Sequence, residues 1–336
     1  MNSRERVLAV LAGRPVDMVP VLPVVDGFYA PRVISRPNDE CFLDGTCMSE
    51  ALVEALKRFG YDGAVAEMGL GAKPNLLGCP LEVTGNDVPL VVETIIGGRE
   101  DLDRIFIPDP EADGKMEPVR ELVAALEGNH AVLGYVRSPF EYAATVRGFM
   151  DFMADFYRDP ELVHDLISRV KPATVVVGKA LAAAGVDALV IKDSLGSTSV
   201  ISPDHYREFV FPYEVESIGE IGGEVPVILH VCRNSAPILA DMARTGAAAL
   251  EVDSPVDLAE ARKIIGGGII LKGNIDAVAV IEKGTVEDVR EAVKKAMDAA
   301  KADGGFILST GDSIPLGAPP ENVAALVAAG REYGVY

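Results

Sequence analysis

The feature that most constrains this chain is a repeated alternation. A short apolar, β-branched run is followed by a polar or glycine-rich loop and then by a longer amphipathic stretch. Eight such runs occur, at residues 19–25, 63–68, 131–136, 188–192, 226–230, 249–252, 269–273 and 306–309. Strands separated by helices lie parallel, because the helix is the crossover that returns the chain to the same edge. Eight of them predict an α/β fold, a closed (β/α)8 TIM barrel over residues 1–336 as a single domain. An open doubly wound sheet is the competing arrangement, but no G-x-G-x-x-G follows the first run. Helix starts are signalled by Ser49, Asp159-Pro160, Ser202-Pro203, Thr285 and Ala318-Pro319, and helix ends by Gly60, Gly185, Gly246 and Gly304. Ahead of the first run lies an N-terminal extension. Residues 70–110 form an insertion after the second run. Within it, residues 81–83 and 90–92 flank Thr84-Gly85-Asn86-Asp87 as a β-hairpin. Residues 28–47 make a second long loop.

Composition narrows the function classes. A formal net charge of −20 repels nucleic acid and anionic membranes, and it suits a soluble protein or one with a basic partner. Such an excess also disfavours a polyanionic substrate unless a local basic pocket exists. No apolar run is long enough to span a bilayer. The first residues lack the apolar core of a signal peptide, so a cytoplasmic location is expected. In that compartment disulfides are not expected, and Cys41, Cys47 and Cys79 read as buried or loop thiols.

Reacting groups of such barrels gather where strands end. One or two residues past the runs stand Asp26, Glu67, Arg137, Asp193, His230 with Cys232, Asp253, Asn274 and Asp312. Loops are polar in any protein, so each single residue also has a plain reading as loop surface. His230 and Cys232 are the informative pair. At i, i+2 on a strand end, both side chains point the same way, and a neutral imidazole with a thiolate suits Zn²⁺. A catalytic zinc needs a third protein ligand and an open position. Asp312, in Ser309-Thr310-Gly311-Asp312-Ser313, is the candidate, with Glu67 as a fourth ligand or a base.

These residues belong to a wider pattern. It includes residues 4–21 (Arg4-Glu5-Arg6-Val7 through Pro20-Val21) and residues 201–213 (Ile201-Ser202-Pro203-Asp204 through Pro212-Tyr213). It continues with His230-Val231-Cys232, Lys272-Gly273-Asn274-Ile275-Asp276, Gly305-Phe306-Ile307-Leu308-Ser309-Thr310-Gly311 and Pro319-Pro320-Glu321-Asn322-Val323. The pattern resembles the uroporphyrinogen decarboxylase superfamily over nearly the whole chain. Within it the chain looks like the cobamide-dependent methyltransferase branch. The resemblance implies the barrel, a zinc ion and a separate corrinoid protein as partner.

Two departures refine what the resemblance implies. Members that methylate thiols usually carry a cysteine where this chain has Asp312. A carboxylate in place of a thiolate leaves zinc a stronger Lewis acid, better suited to polarising an ether or phenol oxygen. The porphyrinogen decarboxylases hold substrate carboxylates with an arginine-rich N-terminal segment, whereas here the first strand is followed by Asp26-Gly27-Phe28-Tyr29-Ala30. The expectation is therefore a zinc-dependent methyltransferase that demethylates a methoxylated small molecule. His230, Cys232 and Asp312 would hold the metal. Glu67 and Asp193 would orient or protonate the leaving oxygen, and Asn274, Arg137 and Asp253 would contact substrate. Three alternatives stay open: methylcobamide:thiol transfer of the coenzyme M type, a metal-free decarboxylase, and a non-catalytic relative. A homodimer also stays open.

Overall fold

The computed structural model describes residues 1–67, 75–82, 90–107, 109–302 and 304–336. Strand β1 (Gly63–Glu67) is followed by a small antiparallel sheet of β2 (Asn75–Leu76), β3 (Cys79–Glu82) and β4 (Leu90–Val91). Then come β5 (Ala131–Arg137), β6 (Ala188–Asp193), β7 (Val227–Val231), β8 (Ala249–Val252), β9 (Ile270–Ile275) and β10 (Phe306–Thr310). The large sheet is parallel, in the order β1-β5-β6-β7-β8-β9-β10. Helices cross between its strands, the longest being Pro160–Ala183.

The first predicted strand is present as a stave but not as a regular strand. Residues 19–25 lie between β10 and β1. Leu22 N donates to Leu308 O at 2.8 Å, Leu308 N to Pro20 O at 2.9 Å, and Asp62 N to Val21 O at 2.8 Å. Only one bridge, Val21 to Leu308, has ladder geometry. Pro20 and Pro23 bring no N–H, so a continuous ladder cannot form there. The barrel closes all the same, and helix Pro320–Tyr333 packs onto the stave at Gly330. A Cβ there would lie 2.5 Å from Val21 Cγ2.

Strand periodicity then divides the barrel into layers. Leu22, Val24, Val65, Leu133, Val190, Ile228, Ile270 and Ile307 fill the interior, and Val7, Val10 and Leu11 of the N-terminal helix Ser3–Leu11 close its floor. Two residues on along the same strands stand Lys192, His230, Lys272 and Ser309, with Glu251 two past Ala249 on β8. The register pairs Lys192 with His230, His230 with Glu251, and Glu251 with Lys272. An apolar layer is thus covered by a polar one at the C-terminal ends of the strands.

The predicted helix starts at Asp159, Ser202 and Thr285 are caps, each side chain accepting from a first-turn amide. Pro319 caps the last helix. Ser49 is not a start. The helix runs Gly45–Phe59 from an Asp44 cap, and Ser49 lies buried within it, donating to Pro118 O. The insertion contains the expected antiparallel pairing, Leu81 with Val91 and Glu82 with Leu90. The predicted turn at residues 84–87 lies outside the described residues.

Cysteine chemistry differs from expectation. Cys41 and Cys47 form a disulfide, with Cα atoms 5.0 Å apart. The chain turns at Asp44 between helices Asn38–Leu43 and Gly45–Phe59, which brings the two side chains together. The expectation of thiols rested on compartment, and compartment carries no information about this turn. Cys79 is a buried thiol as expected. No helix among the described residues is long and apolar enough to cross a membrane.

Candidate metal centre

His230 projects from β7 into the polar layer, Cys232 follows one residue past the strand, and Asp312 lies two residues past β10. One ligand atom from each lies within 4.8 Å of the others. His230 Nε2 is 3.1 Å from Cys232 Sγ, and Sγ is 3.5 Å from Asp312 Oδ2 and from Ser194 Oγ. His230 and Cys232 are buried, while the Asp312 side chain keeps 39% of its surface exposed. The cluster therefore has a buried side and an open side.

On the buried side, His230 Nδ1 finds no hydrogen-bond partner among the described residues and lies 3.7 Å from Glu251 Oε1. Lys272 Nζ stands 2.6 Å from the same oxygen and donates to Ser309 Oγ at 2.9 Å. Metal-bound histidines commonly turn their second nitrogen to a carboxylate in this way. On the open side, Lys192 Nζ donates to Asp312 Oδ1 at 3.0 Å and to Ser313 Oγ at 3.4 Å. Ser313 in turn donates to Asp26 Oδ2.

The electrostatics follow from burial and charge. Burial lowers the His230 imidazole, so it is neutral and available as a ligand at neutral pH. Burial pushes the Cys232 thiol up, and the Asp312 charge adds to this. A cation among these atoms reverses that preference, because a coordinating thiol is deprotonated outright. Burial alone would raise the Asp312 carboxyl, but the Lys192 ammonium beside it holds it well below the usual carboxylate range. The donor set of one neutral nitrogen, one sulfur and one carboxylate fits zinc.

The other residues singled out from the sequence sit around this cluster in different ways. Asp193 is buried at the end of β6, and its Oδ1 accepts from the amides of Leu195 at 2.9 Å and Gly196 at 2.6 Å. Burial pushes its carboxyl up to about 6, against the pull of Ser138 and those amides. Asp253 accepts from Arg233 N at 2.8 Å and from Ser254 N. Asn274 donates to Asp253 O at 3.2 Å and Val256 O at 2.6 Å. Asp193 thus holds the turn after β6 and Asn274 the loop after β8, while Asp253 ties that loop to Arg233, next to Cys232. Arg137 pairs with Glu141 at 2.8 Å, and Glu141 accepts from Ser194 N, whose side chain touches Cys232. Glu67 ends β1 with its backbone in register with Tyr135, and its side chain lies outside the described set.

Lys192, Glu251 and Lys272 were missed in the sequence. Their signal was there: a charge inside an apolar run, two residues on from an inward apolar residue. Reading past the run ends overshot them. Asp193, one residue beyond Lys192, has the opposite strand parity.

The sequence profile of the uroporphyrinogen decarboxylase (URO-D) family matches residues 2–333. Uroporphyrinogen decarboxylase of Xanthomonas axonopodis pv. citri is 30% identical over 355 residues, covering 98% of each chain. Methylcobamide:CoM methyltransferase MtbA of Methanosarcina mazei is 27% identical over 341 residues, covering 99% of this chain and 98% of its own. A solved methyltransferase structure from Methanosarcina mazei superposes with a TM-score of 0.88 at 23% identity over 99% of both chains, which establishes the barrel fold.

Proposed function

The chain belongs to the uroporphyrinogen decarboxylase (URO-D) family, and from that membership we propose that it is a zinc-dependent methyltransferase. It moves a methyl group from an O-methylated small molecule, favoured as a methoxylated aromatic, to a corrinoid protein. The observation that carries this reading is the convergence of His230, Cys232 and Asp312 within 4.8 Å at the C-terminal mouth of the barrel. The likeness to a methylcobamide:CoM methyltransferase over the whole chain supports the corrinoid partner.

His230, Cys232 and Asp312 would hold the zinc, with Glu251 orienting His230 through Nδ1. Bound there, zinc supplies Lewis acidity toward a substrate oxygen. Asp312 offers only Oδ2 toward the cluster, because Oδ1 is engaged by Lys192. Asp253 steadies the loop after β7 through Arg233 N, Asp193 and Asn274 hold the neighbouring turns after β6 and β8, and Arg137 reaches Ser194 through Glu141. Glu67 remains the proposed fourth ligand or base. The transfer breaks the O–CH3 bond and leaves its electron pair on oxygen. The methyl group passes to the reduced corrinoid, which supplies the electron pair of the new bond.

Decarboxylation is the second reading, favoured by the names of several relatives. It requires cations free to hold carboxylates. In the loop after the first stave, Arg32 is spent on the carbonyls of Leu316 and Ala318, and Arg36 pairs with Glu40. That weighs for methyl transfer. Elemental analysis of the protein and of Cys232→Ala and Asp312→Ala tests the proposal. About one zinc per chain, lost in both variants, is expected for a three-ligand site. A protein that takes up no zinc, and that decarboxylates a porphyrinogen as well when Cys232 is alanine, would establish the second reading instead.

A further inference from the structure

The polar layer holds two lysines in quite different states. Lys272 is 1% exposed and is neutralised by Glu251. Together with His230 they form a closed, buried group. Lys192 is 20% exposed and stands on the open side, beside the 39% exposed Asp312. One carboxylate separates it from the ligand cluster, since Asp312 Oδ1 accepts from Lys192 Nζ at 3.0 Å while Oδ2 lies 3.5 Å from Cys232 Sγ. The strand register points the same way. Lys192 is the Cα partner of His230 on the neighbouring strand, so both side chains project over the same cavity. Its ammonium also lies 6.0 Å from the ring centroid of the buried Tyr135.

We propose that Lys192 is the oxyanion-binding residue of this site and that it selects substrates whose methylated aryl oxygen leaves as a phenolate. This rests on the methyltransferase reading and specifies its substrate class. Charge balance supports it. The thiolate of Cys232 and the carboxylate of Asp312 match the two charges of zinc, while His230 is neutral. A phenolate formed beside that neutral set brings a charge of its own, and among the described residues the Lys192 ammonium stands next to it on the open side. Direction follows from the same reasoning. A fixed cation accelerates the reaction in which charge appears on the substrate, and it retards one in which a thiolate loses its charge on methylation. As the O–CH3 bond breaks, its electron pair stays on the aryl oxygen beside Lys192, and the methyl group goes to the reduced corrinoid. Lysine on a flexible four-carbon stem can turn from Asp312 to such an oxygen without moving the strand.

The experiment uses the zinc-loaded protein with Lys192→Met and Lys192→Arg. Two quantities are read: binding of 4-nitrophenolate and of its neutral methyl ether by titration calorimetry, and demethylation of para-substituted anisoles with cob(I)alamin as acceptor. Wild type and Lys192→Arg should bind the phenolate at least about tenfold more tightly than the ether, and Lys192→Met should bind the two alike. Losing one such fixed group costs about 10²–10³-fold in rate. In Lys192→Met that loss should be largest for the anisoles with the most basic leaving phenolates, which steepens the dependence on leaving group. Equal phenolate affinity and an equal slope in wild type and Lys192→Met would overturn the assignment. A wild type that binds phenolate through Lys192 yet demethylates no anisole would overturn the demethylase reading and leave the anion site standing.

Discussion

The two ends of this barrel treat buried charge in opposite ways. At the N-terminal end, Asp62 is met on every side. It accepts from Arg6 at 3.2 Å, from Arg331 at 2.7 and 2.9 Å, and from Val21 N at 2.6 Å. Arg6 also forks onto Asp17 at 2.7 and 2.9 Å. Asp187, just before β6, is held by Arg4 and by Val132 N. At the C-terminal end, His230 Nδ1 and Glu251 Oε2 have no hydrogen-bond partner among the described residues, and a thiol lies buried between a histidine and an aspartate. Saturated networks fix a fold, whereas undersatisfied ones are kept for a ligand. The lower end therefore ties the stave, β1 and the last helix together, and the upper end holds the groups proposed to take a cation and a substrate.

The largest effect should come from breaking the lower end. Asp62→Ala leaves Arg6 buried and Arg331 half-buried without their shared carboxylate. Loss of one partner of a buried ion pair costs about 3–5 kcal/mol. Urea unfolding should show that loss, while zinc content and methyl transfer stay normal at temperatures where the variant is folded. A variant that kept its stability but lost zinc would erase the distinction between the ends.

The upper end should answer in reverse. Replacing Glu251 and Lys272 together, as Glu251→Leu with Lys272→Met, removes a buried ion pair whole. Such replacements are neutral or stabilising by about 1–4 kcal/mol. The same change takes away the carboxylate facing His230 Nδ1, and loss of such a partner weakens metal binding about 10–100-fold. Stability held or gained with zinc affinity lowered is the expected pair of results. A loss of stability matching that of Asp62→Ala would mean that the upper charges also serve the fold.

How much of this was legible in the sequence follows the same division. The barrel was legible because it rests on periodicity, and parity along β7 was enough to place His230 and Cys232 side by side. Asp312 was found by its place after the last strand. The irregular stave was not seen, because a run of valines outweighs two prolines unless the missing amides are counted. Glu251 and Lys272 were passed over because a charge inside an apolar run looks like an interruption. Only the register shows that each meets its partner on the next strand. The disulfide depended on a turn at Asp44 that no periodic pattern announces.

The smallest effect per pH unit is in the pH dependence, and it separates ion-paired carboxyls from a buried neutral one by sign. Asp17, beside Arg6, is held well below its ordinary value. A depressed carboxyl contributes stability that is present above its unfolded value and lost as pH falls through the folded one. With 47% of its side chain exposed, solvent screens much of that contribution. Glu214 is the opposite case. It is buried close to the end of β6, with Tyr206 donating to it at 2.5 Å, and burial followed by the Asp193 charge pushes it from 4.5 up to about 8. Between those values the native state holds a proton that the unfolded chain releases, so stability falls as pH rises through that window. The slope is at most about 1.4 kcal/mol per pH unit. Unfolding midpoints measured from about pH 3 to about pH 9 should decline above pH 5 or so. Glu214→Gln, which keeps the shape and cannot ionise, should flatten the decline while leaving the acid limb intact. If the decline survives in that variant, its source is another buried acid, and the contrast between ion-paired and buried neutral carboxyls does not extend to Glu214.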